Sequence, residues 1–219
     1  LFGWGEGTLE WHTRSVVGAV EDLSDLLIGE DPSRIEHLWQ MMHRQHFWHG
    51  DGVVRSTAIS AIDIALWDIA GKLWGVPVYR LLGGPCRDKI WMYPSAKALK
   101  ISPGYARYHA GTPADIADLV KSVAAARAKV GPDGAVMFDA HSCLPPPIVK
   151  QFAGHLKSDD LLFLEEAWVP GNIEVMRKLR ADVPVPLATG ERNRTIWEVR
   201  EILEAQVIDI MQPVCGHTG

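Results

Sequence analysis

Three short apolar runs, Met137-Phe138-Asp139, Phe163-Leu164-Glu165 and Ala188-Thr189-Gly190-Glu191, each end in a carboxylate, and the acids are spaced 26 residues apart twice over. That interval fits one strand, one helix and their two connections, so the acids mark equivalent points of a strand–helix repeat. Strands are expected at 90–94, 98–102, 135–139, 161–165, 185–189 and 207–211. Helical patterns fall between them at 113–129, 146–156, 172–180 and 195–204, with Thr112-Pro113 and Asn172 as start signals. This order predicts an α/β fold with a parallel sheet wound one way, as in a (β/α) barrel, where sites are built at the C-terminal strand ends.

One link breaks the pattern. Trp91-Met92-Tyr93-Pro94 runs almost straight into Ala98-Leu99-Lys100-Ile101-Ser102, whereas parallel neighbours need a crossover of about a dozen residues. Either one run is not a strand or residues are absent between 95 and 97. The gap is the favoured reading, because six strands do not close an eight-stranded barrel either.

The first part of the chain is helical in rhythm. Val16, Val17, Val20, Leu23 and Leu27 repeat at helical spacing over 12–28, closed by Gly29. Asp31 is the expected N-cap of a second helix, with Pro32 at its first position and Ile35, Leu38, Trp39 and Met42 along one face. Residues 54–74 are apolar on more than one side and stop at Gly75 and Pro77. A domain boundary is expected between 1–88 and 89–219, and both chain ends read as cut, the first in mid-strand.

Charge narrows the partners. A net charge of −5 argues against a nucleic-acid or anionic-membrane partner. No apolar run is long enough to span a bilayer, and Leu1-Phe2-Gly3-Trp4-Gly5-Glu6 has neither the basic start nor the apolar stretch of a signal peptide. Cys86, Cys143 and Cys215 are too scattered for a disulfide framework or a zinc knuckle and fit a reducing cytoplasm.

Asp139, Glu165 and Glu191 should meet at one height above the sheet, where three like charges repel unless a cation neutralises them. Hard oxygen donors with open water positions suit Mg²⁺. Strand alternation places Glu165 with Phe163 and turns Glu166 toward the helices; an outer-partner role is its alternative. His141 follows Asp139 by two residues on the same face, where an imidazole can deliver a proton near pH 7. Lys100, with Ser102 next on its face, either binds a substrate carboxylate or is an ion-pair partner. Arg192 and Asn193 either touch substrate or make loop hydrogen bonds.

The chain resembles the enolase superfamily, in its mandelate racemase and muconate lactonizing subgroup. The matching stretches are Gly3-Trp4-Gly5-Glu6, Ala58-Ile59-Ser60-Ala61-Ile62-Asp63-Ile64-Ala65-Leu66-Trp67-Asp68, Leu81-Leu82-Gly83-Gly84, the three acid-bearing strands and Asp209-Ile210-Met211-Gln212-Pro213. The resemblance implies a modified (β/α)₇β barrel with an α+β capping domain, both incomplete in this chain. It implies Asp139, Glu165 and Glu191 as Mg²⁺ ligands. His141 in Asp139-x-His141 would be the general acid of an acid-sugar dehydratase similar to galactonate dehydratase. The implied reaction is Mg²⁺-dependent dehydration of an aldonate or aldarate to a 2-keto-3-deoxy acid through an enediolate, in a cytoplasmic homo-oligomer. A racemase or epimerase on the same chemistry, or a catalytically silent member, are the alternatives.

Departures from the family pattern bear on the choice. Ser102 stands where racemases carry the second lysine of Lys-x-Lys, which weighs against a lysine base. Val214 stands where an aspartate would support a histidine base, itself expected beyond Gly219, and Ala167 replaces a proline. Trp11 and His12 fall in the capping-domain loop that closes over substrate in relatives. His43, His46 and His49 near a helix end are expected on a solvated face or an interface, and the nine tryptophans mostly as packing.

Overall fold

The structure is a computed structural model that describes residues 1–44, 47, 52–103, 111–157, 160–169 and 171–218. The chain divides into two compact units, one of residues 1–89, 193–198 and 213–219, the other of 90–192 and 199–212. Among the described residues no helix is long and apolar enough to cross a membrane.

The first unit is built from α1 (Thr13–Leu27), α2 (Ile35–Arg44), α3 (Val53–Trp74) and the short α4 (Val78–Leu81). α3 is its axis, contacting α1, α2 and α4. Ser56 through Ser60 are all buried, so this helix is enclosed on more than one side, as its apolar sequence predicts. It ends at Gly75 in the left-handed conformation, with the Gly75 amide bonded to the Gly71 carbonyl. Residues 1–7 do not pair as a strand. They run along α3 instead, because Gly3, Gly5 and Gly7 bring backbone against the Ala65, Ala61 and Thr57 carbonyls, one helical turn apart. A Cβ on Gly5 would lie 1.8 Å from the Ala61 carbonyl oxygen, so only glycine fits. The backbone amide of Trp4 donates to Asp68 at 2.8 Å, which fixes the register of this segment.

α2 begins at Ile35, later than the Asp31-Pro32 signal predicts. Asp31 accepts from the Ser33 amide at 2.9 Å and so caps a turn that precedes the helix. His43 is half-buried and stacks between Trp39 at 4.7 Å and Trp197 at 5.7 Å. His46 and His49 lie outside the described residues. The tryptophans are less uniformly packing than their number suggests. Trp168 is buried, while Trp4, Trp11, Trp74, Trp91 and Trp197 are exposed.

The second unit repeats strand and helix: β1 (Ala98–Ile101), α5 (Pro113–Val130), β2 (Ala135–Asp139), α6 (Pro146–Ala153), β3 (Phe163–Glu165), α7 (Ile173–Asp182), β4 (Leu187–Thr189), α8 (Thr195–Ala205) and β5 (Ile210–Met211). The first four residues of α8 belong to the first unit, as does a final turn, α9 (Cys215–Thr218). The five strands among the described residues are parallel and lie side by side in chain order, β1 to β5, which is the one-way winding expected. α5 starts on a reciprocal cap in which Thr112 Oγ1 accepts from the Asp115 amide and Asp115 accepts from the Thr112 amide.

The run at 90–94 is not a strand. Ile90, Trp91, Met92 and Tyr93 are exposed, and a turn bridging Ser95 to Ala98 feeds directly into β1. The few residues between the two runs cannot carry a crossover, and in this chain the first run lies outside the sheet. Strand alternation then sorts the core. Val136, Phe138, Leu164 and Leu187 pack against the helices with Leu119, Val123, Phe152 and Met176. Ala98, Ala135, Met137, Phe163 and Ala188 cluster on the opposite face, the face that Asp139 and Glu165 share by alternation.

Two stability experiments test the first unit. Gly5→Ala should destabilise by about 1–3 kcal/mol, since backbone rather than a flexible side chain must yield. Gly18→Ala, inside α1 with nothing within 4 Å of its new methyl, should stabilise by about 0.5–1 kcal/mol. Thermal melts that failed to separate the two in sign would contradict the packing of residues 1–7 on α3. Burial, then the negative charge of Glu36, pushes the Asp63 carboxyl up to about 6. Its ionised form is therefore disfavoured in the fold: the penalty is absent below the unfolded value near 4, builds up to pH 6 and stays constant above. Asp63→Asn should gain about 1–2 kcal/mol at pH 7, after discount for partial exposure, and little at pH 4. Denaturant titrations at both pH values check this.

Candidate metal centre

β2, β3 and β4 end side by side, with Asp139 paired directly with Glu165 in the ladder. Glu191 follows β4 after Gly190, whose φ of +146° and approach to the Gln212 backbone, 2.7 Å from where a Cβ would sit, admit no side chain. The three carboxylates present oxygens all within 4.8 Å of one another, an arrangement that could hold a metal ion. Asp139 and Glu165 are buried and Glu191 is half-buried.

Electrostatics fit a cation-binding site. Burial raises the Glu191 carboxyl, and the charges of Asp139, Glu166 and Glu165 raise it further. Burial raises Glu165 as well, with Lys100 opposing. Lys100 places Nζ 2.7 Å from Asp139 Oδ2 and 2.9 Å from Glu165 Oε2. Burial lowers its pKa, but the bonds to Asp139 and Glu165 more than reverse this and hold the ammonium charged. Asp139 Oδ2 is buried and makes close ion contacts without an aligned hydrogen bond, which leaves a lone pair for another cation. The donors are all hard carboxylate oxygens, the set that Mg²⁺ or Ca²⁺ prefers. The residues therefore fit the expected ion.

His141 is held on both sides. Nε2 lies 3.2 Å from Asp139 Oδ2, and Nδ1 lies 2.9 Å from Ser102 Oγ. Its own amide donates to Asp139 Oδ1 at 3.0 Å, which curls the chain back over the strand end with φ at +48°. Ser142 and Glu166 also have positive φ, at +53° and +46°, so three non-glycine residues around this rim take a conformation that costs about 1–3 kcal/mol each. In the sequence Ser102 stands out only as the residue replacing a lysine. Its contact with His141 joins residues 39 apart and has no local signal.

Glu166 is completely buried. It accepts from Ser142 Oγ at 3.1 Å, from Thr189 Oγ1 and from the Gly190 amide, and lies 3.5 Å from Arg192 Nε. It thus ties the loops after β2 and β4 together beneath the carboxylate cluster. Arg192 also donates to the His141 carbonyl at 3.1 Å. Lys100, Asp139, His141, Glu165, Glu191 and Arg192 are together in the second unit. Asn193, Trp11 and His12 belong to the first. Asn193 is buried, Trp11 is exposed with φ at +63°, and the His12 carbonyl accepts the first bonds of α1.

Comparison with known proteins divides the chain in sequence between 83 and 91, so that 193–198 and 213–219 match with the second part although they belong to the first unit. Residues 91–219 match the family described as enolase C-terminal domain-like, and residues 1–83 match the mandelate racemase / muconate lactonizing enzyme N-terminal domain. The chain belongs to this enolase-like family, and its fold is the α/β fold of the superfamily with a parallel sheet. Among the relatives, the D-galactonate dehydratase of Ralstonia pickettii is 38% identical over 237 residues, covering 99% of this chain and 62% of that protein. A D-galactonate dehydratase family member of Streptomyces bingchenggensis is 34% identical, covering 100% of this chain and 64% of that protein. The chain thus spans less than two thirds of the length of these relatives. Among solved structures, an enolase-superfamily member from Salmonella Typhimurium superposes with a TM-score of 0.90 at 29% identity, over 99% of this chain and 67% of that one. The 3,6-anhydro-D-galactonate cycloisomerase of Zobellia galactanivorans gives 0.86 at 27% identity, over 99% and 64%.

The two neighbouring glutamates should separate cleanly. Glu165→Gln should weaken Mg²⁺ binding by more than about 100-fold, beyond the loss usual for an outer partner. Glu166→Gln should keep most of the affinity but lower stability by about 3 kcal/mol, because it strands buried partners. Calorimetric Mg²⁺ titration and melting of both variants decide this; equal losses of affinity would reverse the assignment.

Proposed function

We propose that this protein is a Mg²⁺-dependent hydro-lyase that dehydrates a sugar acid, an aldonate or aldarate, to a 2-keto-3-deoxy acid. The observation that carries the reading is the convergence of Asp139, Glu165 and Glu191 with a histidine fixed beside them between Asp139 and Ser102. Relatives named D-galactonate dehydratase support the substrate class.

Asp139, Glu165 and Glu191 would hold the ion, and Lys100 sits against two of them with its charge kept. When bound, Mg²⁺ would offset the negative charge that develops on a substrate carboxylate as the α-proton leaves, forming the enediolate. Pairing of Mg²⁺ with a Lys or His base is a general property of enolase-superfamily sites. His141 is the proton donor in this reading. As the acid it acts as the imidazolium, with Nδ1–H donating to the Ser102 hydroxyl oxygen and the second proton on Nε2, on the side of Asp139. That proton goes to the departing 3-hydroxyl, which leaves as water. The electron pair from the C2–H bond becomes the new double bond, and the resulting enol tautomerises to the 2-keto acid. Removal of the C2 proton falls to a histidine that the family pattern sets beyond Gly219. Arg192 holds the His141 carbonyl and so the loop on which the imidazole rides. A homo-oligomer in a reducing cytoplasm completes the proposal, in keeping with three free cysteines.

Screening aldonic and aldaric acids with Mg²⁺ in deuterated water tests it. His141→Asn should lose keto-acid formation by about 100-fold or more while C2 proton exchange persists. Retained keto-acid formation, or loss of exchange along with it, would remove the acid role from His141 and favour racemase-type chemistry.

A further inference from the structure

The first unit contains a cleft of about 320 Å³ whose lining includes Glu36, Trp39, Asp63, Trp67, Thr195 and Trp197. It uses none of the residues of the carboxylate centre. Two of its indoles are pre-set, because His43 stacks on Trp39 at 4.7 Å and 18° and on Trp197 at 5.7 Å and 22°. Aromatic faces that are already oriented need little ordering when a guest arrives.

The polar lining is unbalanced. Neither Asp63 nor Glu36 has an ion-pair partner among the described residues, and each acid adds to the other's negative field. Arg44 also lines the cleft; it is exposed, as Glu36 is, and pairs with neither acid among those residues. Asp63 is bonded only to Trp67 among the described residues and is held at about 6 by burial and by Glu36. Thr195 is 8% exposed, and its Oγ1 is buried with no hydrogen-bond partner among the described residues. Its φ of +57° is rare for a β-branched residue. Indole faces attract cations through the ring quadrupole, and carboxylates at the same wall add charge. A neutral apolar guest would leave both acids without a countercharge and the Thr195 hydroxyl without a partner, and an anion would be repelled.

The geometry points to this cleft as a binding site for a small organic ammonium cation, held among the indoles that line it with its charge against Asp63 and Glu36. The Thr195 hydroxyl would serve a polar substituent of the same guest. The inference does not rest on the dehydratase reading, since it involves another unit and other residues.

Choline is the probe, with 3,3-dimethylbutan-1-ol as its neutral counterpart of the same shape. Calorimetric titration of the intact protein with saturating Mg²⁺ present keeps the carboxylate centre occupied. Choline should bind in the millimolar range and the neutral alcohol about tenfold more weakly or worse. Asp63→Asn and Trp197→Ala should each weaken choline by about tenfold while the protein melts cooperatively. Trp197 is exposed, so its removal spares the core. Equal binding of the alcohol would overturn the inference by showing an apolar cleft alone. Absence of choline binding, or binding unchanged in both variants, would overturn it as well.

Discussion

The strand-end carboxylates repel one another, and the rest of the centre answers that repulsion. With oxygens within 4.8 Å, each pair of full charges costs about 3 kcal/mol even at an effective dielectric of about 20. Three such pairs approach the whole stability of a domain, about 5–15 kcal/mol. A chain that keeps these acids together must therefore supply a cation or protonate them. Lys100 supplies one charge against Asp139 and Glu165, while burial first and the neighbouring carboxylates after it raise the carboxyls of Glu165 and Glu191.

The sheet makes the repulsion unavoidable. Parallel pairing of Asp139 with Glu165 fixes their side chains on one face, and Gly190 lets the chain pass the Gln212 backbone so that Glu191 can join them. Behind them, Glu166 gathers Ser142, Thr189, the Gly190 amide and Arg192 into one buried network. Positive φ at His141, Ser142 and Glu166 is tolerated because these bonds and the ladder over-determine the rim. The imidazole is placed by the same means, from Asp139 below and Ser102 beside it.

The two units use aromatic residues differently. In the second, Phe138 and Phe152 meet at 5.0 Å inside the core between sheet and helices. In the first, Trp39, Trp67 and Trp197 line an open cleft beside two acids that have no ion-pair partner among the described residues. A count of tryptophans cannot separate these uses, since both helical cores and cleft walls place indoles at helical spacing.

The sequence by itself determined the repeat. Period-two alternation sets which residues of β2 and β3 face the acids' side, and 26-residue spacing sets three strand ends at one height, so Asp139, Glu165 and Glu191 were legible together. Those signals are local, and local signals survive in a bare sequence. The tertiary structure decided what depends on neighbours distant in the chain. It removed 90–94 from the sheet, because an apolar run does not say whether a partner strand can be reached. It laid residues 1–7 on α3, because a glycine tolerates close approach without naming the helix approached. It gave His141 its Ser102 partner and His43 the indole of Trp197, because contacts across 39 and more than 150 residues are set by the packing of whole elements and by no spacing within any one of them.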